Sequence, residues 1–168
     1  MFTIFAKKKS ENKLMKQMRL LADIRTTMMN DEVAKEICRE EGVDEWLLVS
    51  VPILFEDLEV AAKTTDGSIS LSTKLLDKPP EIRMRYVIHE LVHAIQHIKD
   101  FGKPKSDEAH NYLDEPDEVA AFQKQIKYHS KELGKEDAEE YVDDLLDHHN
   151  VPGEDKKDKR EELLEEAV

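Results

Sequence analysis

At 168 residues, 39% hydrophobic and 38% charged, the chain suits one soluble domain with a real core and highly charged extremities. A formal net charge of −13 opposes non-specific nucleic-acid binding, which works by neutralising phosphates, so no nucleic-acid partner is expected. The single cysteine, Cys38, excludes a disulfide framework and a Cys-rich zinc finger, and it fits a reducing compartment. Charge is unevenly spread: residues 1–30 carry seven Lys and Arg against two acids, whereas residues 131–168 carry six against fifteen. The basic start reads as a solvated helix face. No membrane span is expected, and Met1–Lys9 places a short apolar run before its charges, unlike a signal peptide, so the expected location is cytoplasmic.

In chain order, Leu14, Met18, Leu21 and Met28 recur at helical spacing and predict a helix over about 11–29, with its methionines packing in the core. A second helix is expected over 31–41, ending at Gly42, with Cys38 as a packed thiol. Trp46–Phe55 is rich in Leu, Val and Ile and reads as a strand with an edge or bulge at Pro52. Asp66-Gly67 between two β-compatible runs, Glu59–Lys63 and Ser68–Leu71, signals a hairpin. Pro79-Pro80 starts the next helix, over about 81–99. Residues 101–114 form a loop, Glu115-Pro116-Asp117-Glu118 opens a helix running to Leu133-Gly134, and a further helix spans 136–149. Past Pro152-Gly153 the chain is mostly charge and is expected to be a mobile tail or a frayed helix. The order implies an α+β fold: one domain over 1–150, with a helical extension over 1–42, a core over 45–130, and a tail over 151–168.

The helix over 81–99 contains His89-Glu90-Leu91-Val92-His93, an H-E-x-x-H run. Histidines four residues apart lie about 40° apart on a helix, so both imidazoles can face one ion. Glu90 sits beside that face, where it can reach a water instead of the ion. Met84, Val87, Ile88, Leu91, Val92, Ala94, Ile95 and Ile98 form one apolar arc that excludes both histidines. The helix thus has a core-facing back and a front that presents His89 and His93. Zn2+ is the expected ion, and it needs a third protein ligand and an open position for catalysis. His97 has rotated too far and is expected to be a supporting or surface residue. The candidates are Glu118, His110 and Glu115. Glu118 is favoured because the next turn of its helix brings the small Ala121, which permits close helix packing, and then Phe122.

Gly67–Leu71 followed by Arg83–His93 resembles gluzincin-type metallopeptidases, with ImmA/IrrE-like peptidases and small phage-encoded relatives the nearest groups. The resemblance covers about residues 45–130. It implies a zincin-like fold, with a small antiparallel or mixed sheet packed on the active-site helix and further helices at both ends. A downstream E-x-x-A run supplies the third ligand in those families, and Glu118-Val119-Ala120-Ala121 matches it. The implied activity is peptide-bond hydrolysis of a protein or peptide substrate, with His89, His93 and Glu118 as ligands and Glu90 as general base. Tyr112, His110 and Tyr128 are candidate oxyanion donors, and Asp114 and Asp117 could orient the imidazoles. Two alternatives remain open. One is a catalytically silent module with a structural metal, which would have no use for Glu90. The other is a SprT-like protease of DNA-bound proteins, in which His110 would be a ligand and a basic surface would be needed.

Overall fold

The computed structural model describes residues 2–100 and 112–167, with side chains from residue 13 onward. Seven helices and three strands follow one another as α1 (Phe2–Asn30), α2 (Glu32–Glu41), α3 (Leu47–Ser50), β1 (Ile53–Glu56), β2 (Ala62–Thr65), β3 (Ser68–Ser72), α4 (Pro80–Lys99), α5 (Pro116–Leu133), α6 (Lys135–His148) and α7 (Gly153–Leu164). Short 3-10 turns cover Thr73–Asp77 and Tyr112–Asp114. The fold is α+β, as expected, with the small sheet placed ahead of the motif helix.

The sheet runs β1-β3-β2, with β1 parallel and β2 antiparallel to β3. Asp66 and Gly67 both take positive φ, 50° and 74°, which is the backbone that a tight two-residue hairpin requires. The strand expected over Trp46–Phe55 begins only at Ile53, because Trp46–Ser50 folds back into a helical turn. Asp44 accepts from the Trp46 amide at 2.7 Å, and Arg25 donates to the carbonyls of Leu48 and Val51 at 2.9 and 2.7 Å. With both ends of the turn hydrogen-bonded, a β-rich composition does not prevent it.

Asp31 caps α2 by accepting from the amides of Val33 and Ala34, and Gly42 closes it in the left-handed conformation. Cys38 is fully buried there, and burial pushes its thiol up to about 11, so it packs without reacting. The methionines of α1 divide unexpectedly. Met28 is buried, but Met15, Met18 and Met29 are exposed, as is Leu14. Only the last turns of α1 lie over the core, where Ile24 and Met28 enter it.

Two hydrophobic clusters share the interior. The first joins α1, α2, α3, β3 and the back of α4, where Val87, Ile88, Leu91, Ala94 and Ile95 are fully buried. The second joins Val119, Phe122 and Ile126 of α5 to Val142 and Leu146 of α6 and Leu163 of α7. Helix α5 belongs to both, since its Ala121 and Tyr128 face the first. Of the two expectations for the tail over 151–168, mobile or helical, the structure has the helix, over Gly153–Leu164, and docks it through the fully buried Leu163. Its charges do not keep it in water because they are paired. Arg160 contacts Asp143 at 2.8 Å and Glu139 at 3.1 Å, while Lys159 contacts Asp114 at 3.2 Å.

Candidate metal centre

Helices α4 and α5 run antiparallel along their contact. Gln96 bonds Asp117, His89 and His93 face Glu118, His89 packs on Phe122, and Arg85 meets His129. This packing brings Glu118, in the first turn of α5, over the two motif histidines. Ala121 is fully buried at the contact, consistent with the close approach that its size allows.

Three ligand atoms converge. Nε2 of His89 lies 3.1 Å from Nε2 of His93, and each lies 3.4 Å from Oε2 of Glu118. A tetrahedron with metal–ligand bonds of about 2.0–2.1 Å has edges of about 3.3–3.4 Å, so this triangle is one face of such a site. Oε2 of Glu118 is buried and has no hydrogen-bond partner. A group of two imidazoles and a carboxylate that leaves this oxygen unsatisfied could hold a metal ion.

The ring of His93 is set for that task. Its Nδ1 donates to Oε1 of Gln96 at 3.1 Å, and Gln96 donates in turn to Asp117 at 3.3 Å. A proton is thereby held on Nδ1, and Nε2 is the nitrogen turned to the centre. Asp117 thus orients an imidazole as expected, but through Gln96. Asp114 does not, since it pairs with Lys159.

The two carboxylates are pushed apart. Burial raises the Glu90 carboxyl above its ordinary value, and the His89 ring, the Thr64 hydroxyl and His93 only partly offset it. Burial also opposes ionisation of Glu118, but His89, His93 and the Tyr112 hydroxyl outweigh it and hold that carboxyl far below the usual range. One is suited to take up a proton and the other to stay ionised as a ligand. The Thr64 hydroxyl, on the edge strand β2, reaches Oε2 of Glu90 at 2.8 Å and fixes its direction.

Of the other expected residues, Tyr112 bonds the Glu118 carboxylate and stacks on His149 with ring centroids 5.2 Å apart. Glu115 occupies the N-cap position of α5 and is not one of the converging ligands. Tyr128 is not a donor here, because it is buried in the first cluster. His97 lies against the hairpin glycine and is outside the converging group. His110 lies outside the described residues. Sequence reasoning missed Thr64 and His149, which no linear spacing connects to the motif. It also missed Gln96, although three residues beyond His93 is a readable helical neighbour.

His89 and Glu90 line a cleft of about 880 Å³ between α4, α5, α6 and the residues leading into β2. Comparison with known proteins finds no matching family model, no matching curated protein and no matching solved structure. The chemistry of this chain therefore rests on its own geometry. Among the described residues, no helix is long and apolar enough to cross a membrane.

Proposed function

We propose that the protein is a zinc-dependent peptidase with a zincin-like fold, in which His89, His93 and Glu118 hold the ion and Glu90 is the general base. The observation that carries this reading is the triangle of ligand atoms with edges of 3.1, 3.4 and 3.4 Å, whose His89 lines an open cleft together with Glu90. Among the described residues three side chains converge, and His89 opens on the cleft, which is the pattern of a catalytic centre, whereas a structural centre is closed by four. Zinc suits two imidazoles and one carboxylate.

When bound, the ion lowers the pKa of a water and polarises a carbonyl oxygen. Glu90 accepts the proton of the attacking water and returns it to the leaving nitrogen. Thr64 keeps the Glu90 carboxylate turned toward the centre, and Tyr112 supplies a hydroxyl beside Glu118 for the developing oxyanion. Val60, Ala61 and Ala62 line the cleft where the chain enters the edge strand β2. An extended peptide laid along that edge can pair with its free backbone groups, which favours a protein or peptide substrate.

The test is Glu90→Gln, assayed for metal content and for hydrolysis of an unfolded protein substrate. The expected result is full metal loading with hydrolysis lowered by about a hundredfold to ten-thousandfold. Native turnover in this variant would sink the mechanism.

A further inference from the structure

Four residues before His89, the same face of α4 presents Arg85 to the cleft. Its guanidinium is half-buried and held rigidly: Nη2 donates to the Tyr86 hydroxyl at 3.2 Å and Nη1 to Nδ1 of His129 at 3.4 Å. The ring centroids of Tyr86 and Tyr141 lie 5.0 and 4.5 Å from its central carbon. Its Nε is buried without a hydrogen-bond partner.

Arg85 lacks an anion among the described residues. Among the described residues no carboxylate pairs with it, in a chain with 38 acids against 25 Lys and Arg. Arg39 and Arg160 meet carboxylates, and Arg25 and Arg83 donate to backbone carbonyls, although the Nε of Arg83 is, like that of Arg85, buried without a partner. A phenol and an imidazole are weak acceptors for a guanidinium with five donors. Aromatic faces offset part of its desolvation and keep its plane fixed. Arg85 is also the single Lys or Arg among the described residues lining the cleft. Asp137, Glu140 and Asp144 on the α6 wall are exposed to solvent.

We propose that Arg85 is a carboxylate anchor for the substrate, taking either an acidic side chain or a free C-terminal carboxylate. Guanidinium geometry matches a carboxylate with two parallel hydrogen bonds, and the remaining protons of Nη1 and Nη2 provide them. One helical turn separates Arg85 from His89, about 6 Å along the axis. That is about two residues of extended chain at about 3.3 Å each, so the anchored group lies within two residues of the reacting bond. The ligand class, a peptide, rests on the peptidase reading of the neighbouring centre.

Full-length Glu90→Gln protein, which binds without turning over, is titrated by NMR with three N-acetylated tetrapeptides, both zinc-loaded and metal-free. They are tetra-alanine with a free carboxylate, its C-terminal amide, and the amide with glutamate at the third position. At least one carboxylate-bearing peptide should bind about tenfold or more tighter than the neutral amide, the scale of one charge-assisted hydrogen bond. Which of the two does so identifies the source of the carboxylate. In Arg85→Gln the preference should fall to parity with the neutral peptide unaffected, and Arg85→Lys should retain part of it. Equal affinities, no measurable binding, a preference that disappears with the metal, or one that persists in Arg85→Gln would each overturn the assignment. Hydrolysis by the native chain is read separately. Its absence would sink the peptidase reading, while a preference abolished by Arg85→Gln would still stand.

Discussion

Helices α4 and α5 meet at the candidate metal centre but are held in place by different means. Helix α4 is fixed by its own apolar back, packed against the sheet and α2 within one cluster. Helix α5 lies on a seam, with apolar residues in both clusters and a row of lysines facing α2. Lys124 is buried among Glu36, Glu40 and Glu166 at 2.8, 2.7 and 2.5 Å, Lys127 adds a second contact to Glu36 at 2.6 Å, and Lys131 pairs with Asp31. Two of the candidate ligands thus come from a helix with continuous hydrophobic support, and the third from one placed partly by ion pairs. A metal held by His89, His93 and Glu118 would then cross-link the two halves. Anything that loosens α5 should be felt at the centre through Glu118, while the His89–His93 pair persists.

Removing the bridge itself has the largest expected effect. Glu118→Ala should weaken zinc binding by more than about a hundredfold, since even outer partners of metal ligands are worth about ten- to a hundredfold. Competition against a chromophoric chelator reads this, and the gain in thermal stability on adding zinc should shrink with it. Unchanged affinity would mean that α5 supplies no ligand. Next, Leu163→Ala opens a cavity in the second cluster and should cost about 2–5 kcal/mol in denaturant unfolding. A near-neutral result would mean that α7 does not anchor α5. Gln96→Ala frees the ring of His93 and should lower zinc affinity by about tenfold with little loss of stability. It sharpens the comparison because it changes orientation without changing a ligand.

The smallest expected effect is the acid response of the ionic seam. Burial works to raise the Glu36 carboxyl, but the hydrogen bonds from Lys124 and Lys127 outweigh it and bring it from 4.5 to about 2. A carboxyl with a depressed folded-state pKa contributes its full stability above its unfolded value. That contribution is lost as pH falls from about 4.5 toward about 2. Unfolding of wild type beside Glu36→Gln should therefore differ at pH 6 and converge near pH 2. A constant difference across that window would remove the ion pairs from the account of α5.

Local periodicity made much of this legible. The helices around Glu32–Glu41, Pro80–Lys99, Pro116–Leu133 and Lys135–His148 follow from apolar spacing with Gly and Pro at their ends, and Asp66-Gly67 announced the hairpin. Where that reasoning failed, a long-range partner decided. Arg25 and Asp44 turned Trp46–Ser50 into a helical turn, paired charges let α7 dock, and Met15 and Met18 lie on a part of α1 where they stay exposed.

By itself the sequence determined the His89–Glu90–His93 face, because ligands one turn apart on a single helix need only helical geometry to converge. It also singled out Glu118, on the packing of its helix and on resemblance. Only the tertiary structure decided that Oε2 of Glu118 stands 3.4 Å from both ring nitrogens, that Thr64 bonds Glu90, and that Arg85 meets no carboxylate among the described residues of the same cleft. Each of these depends on how α4, α5 and β2 pack, and no spacing along a single element encodes a distance between two.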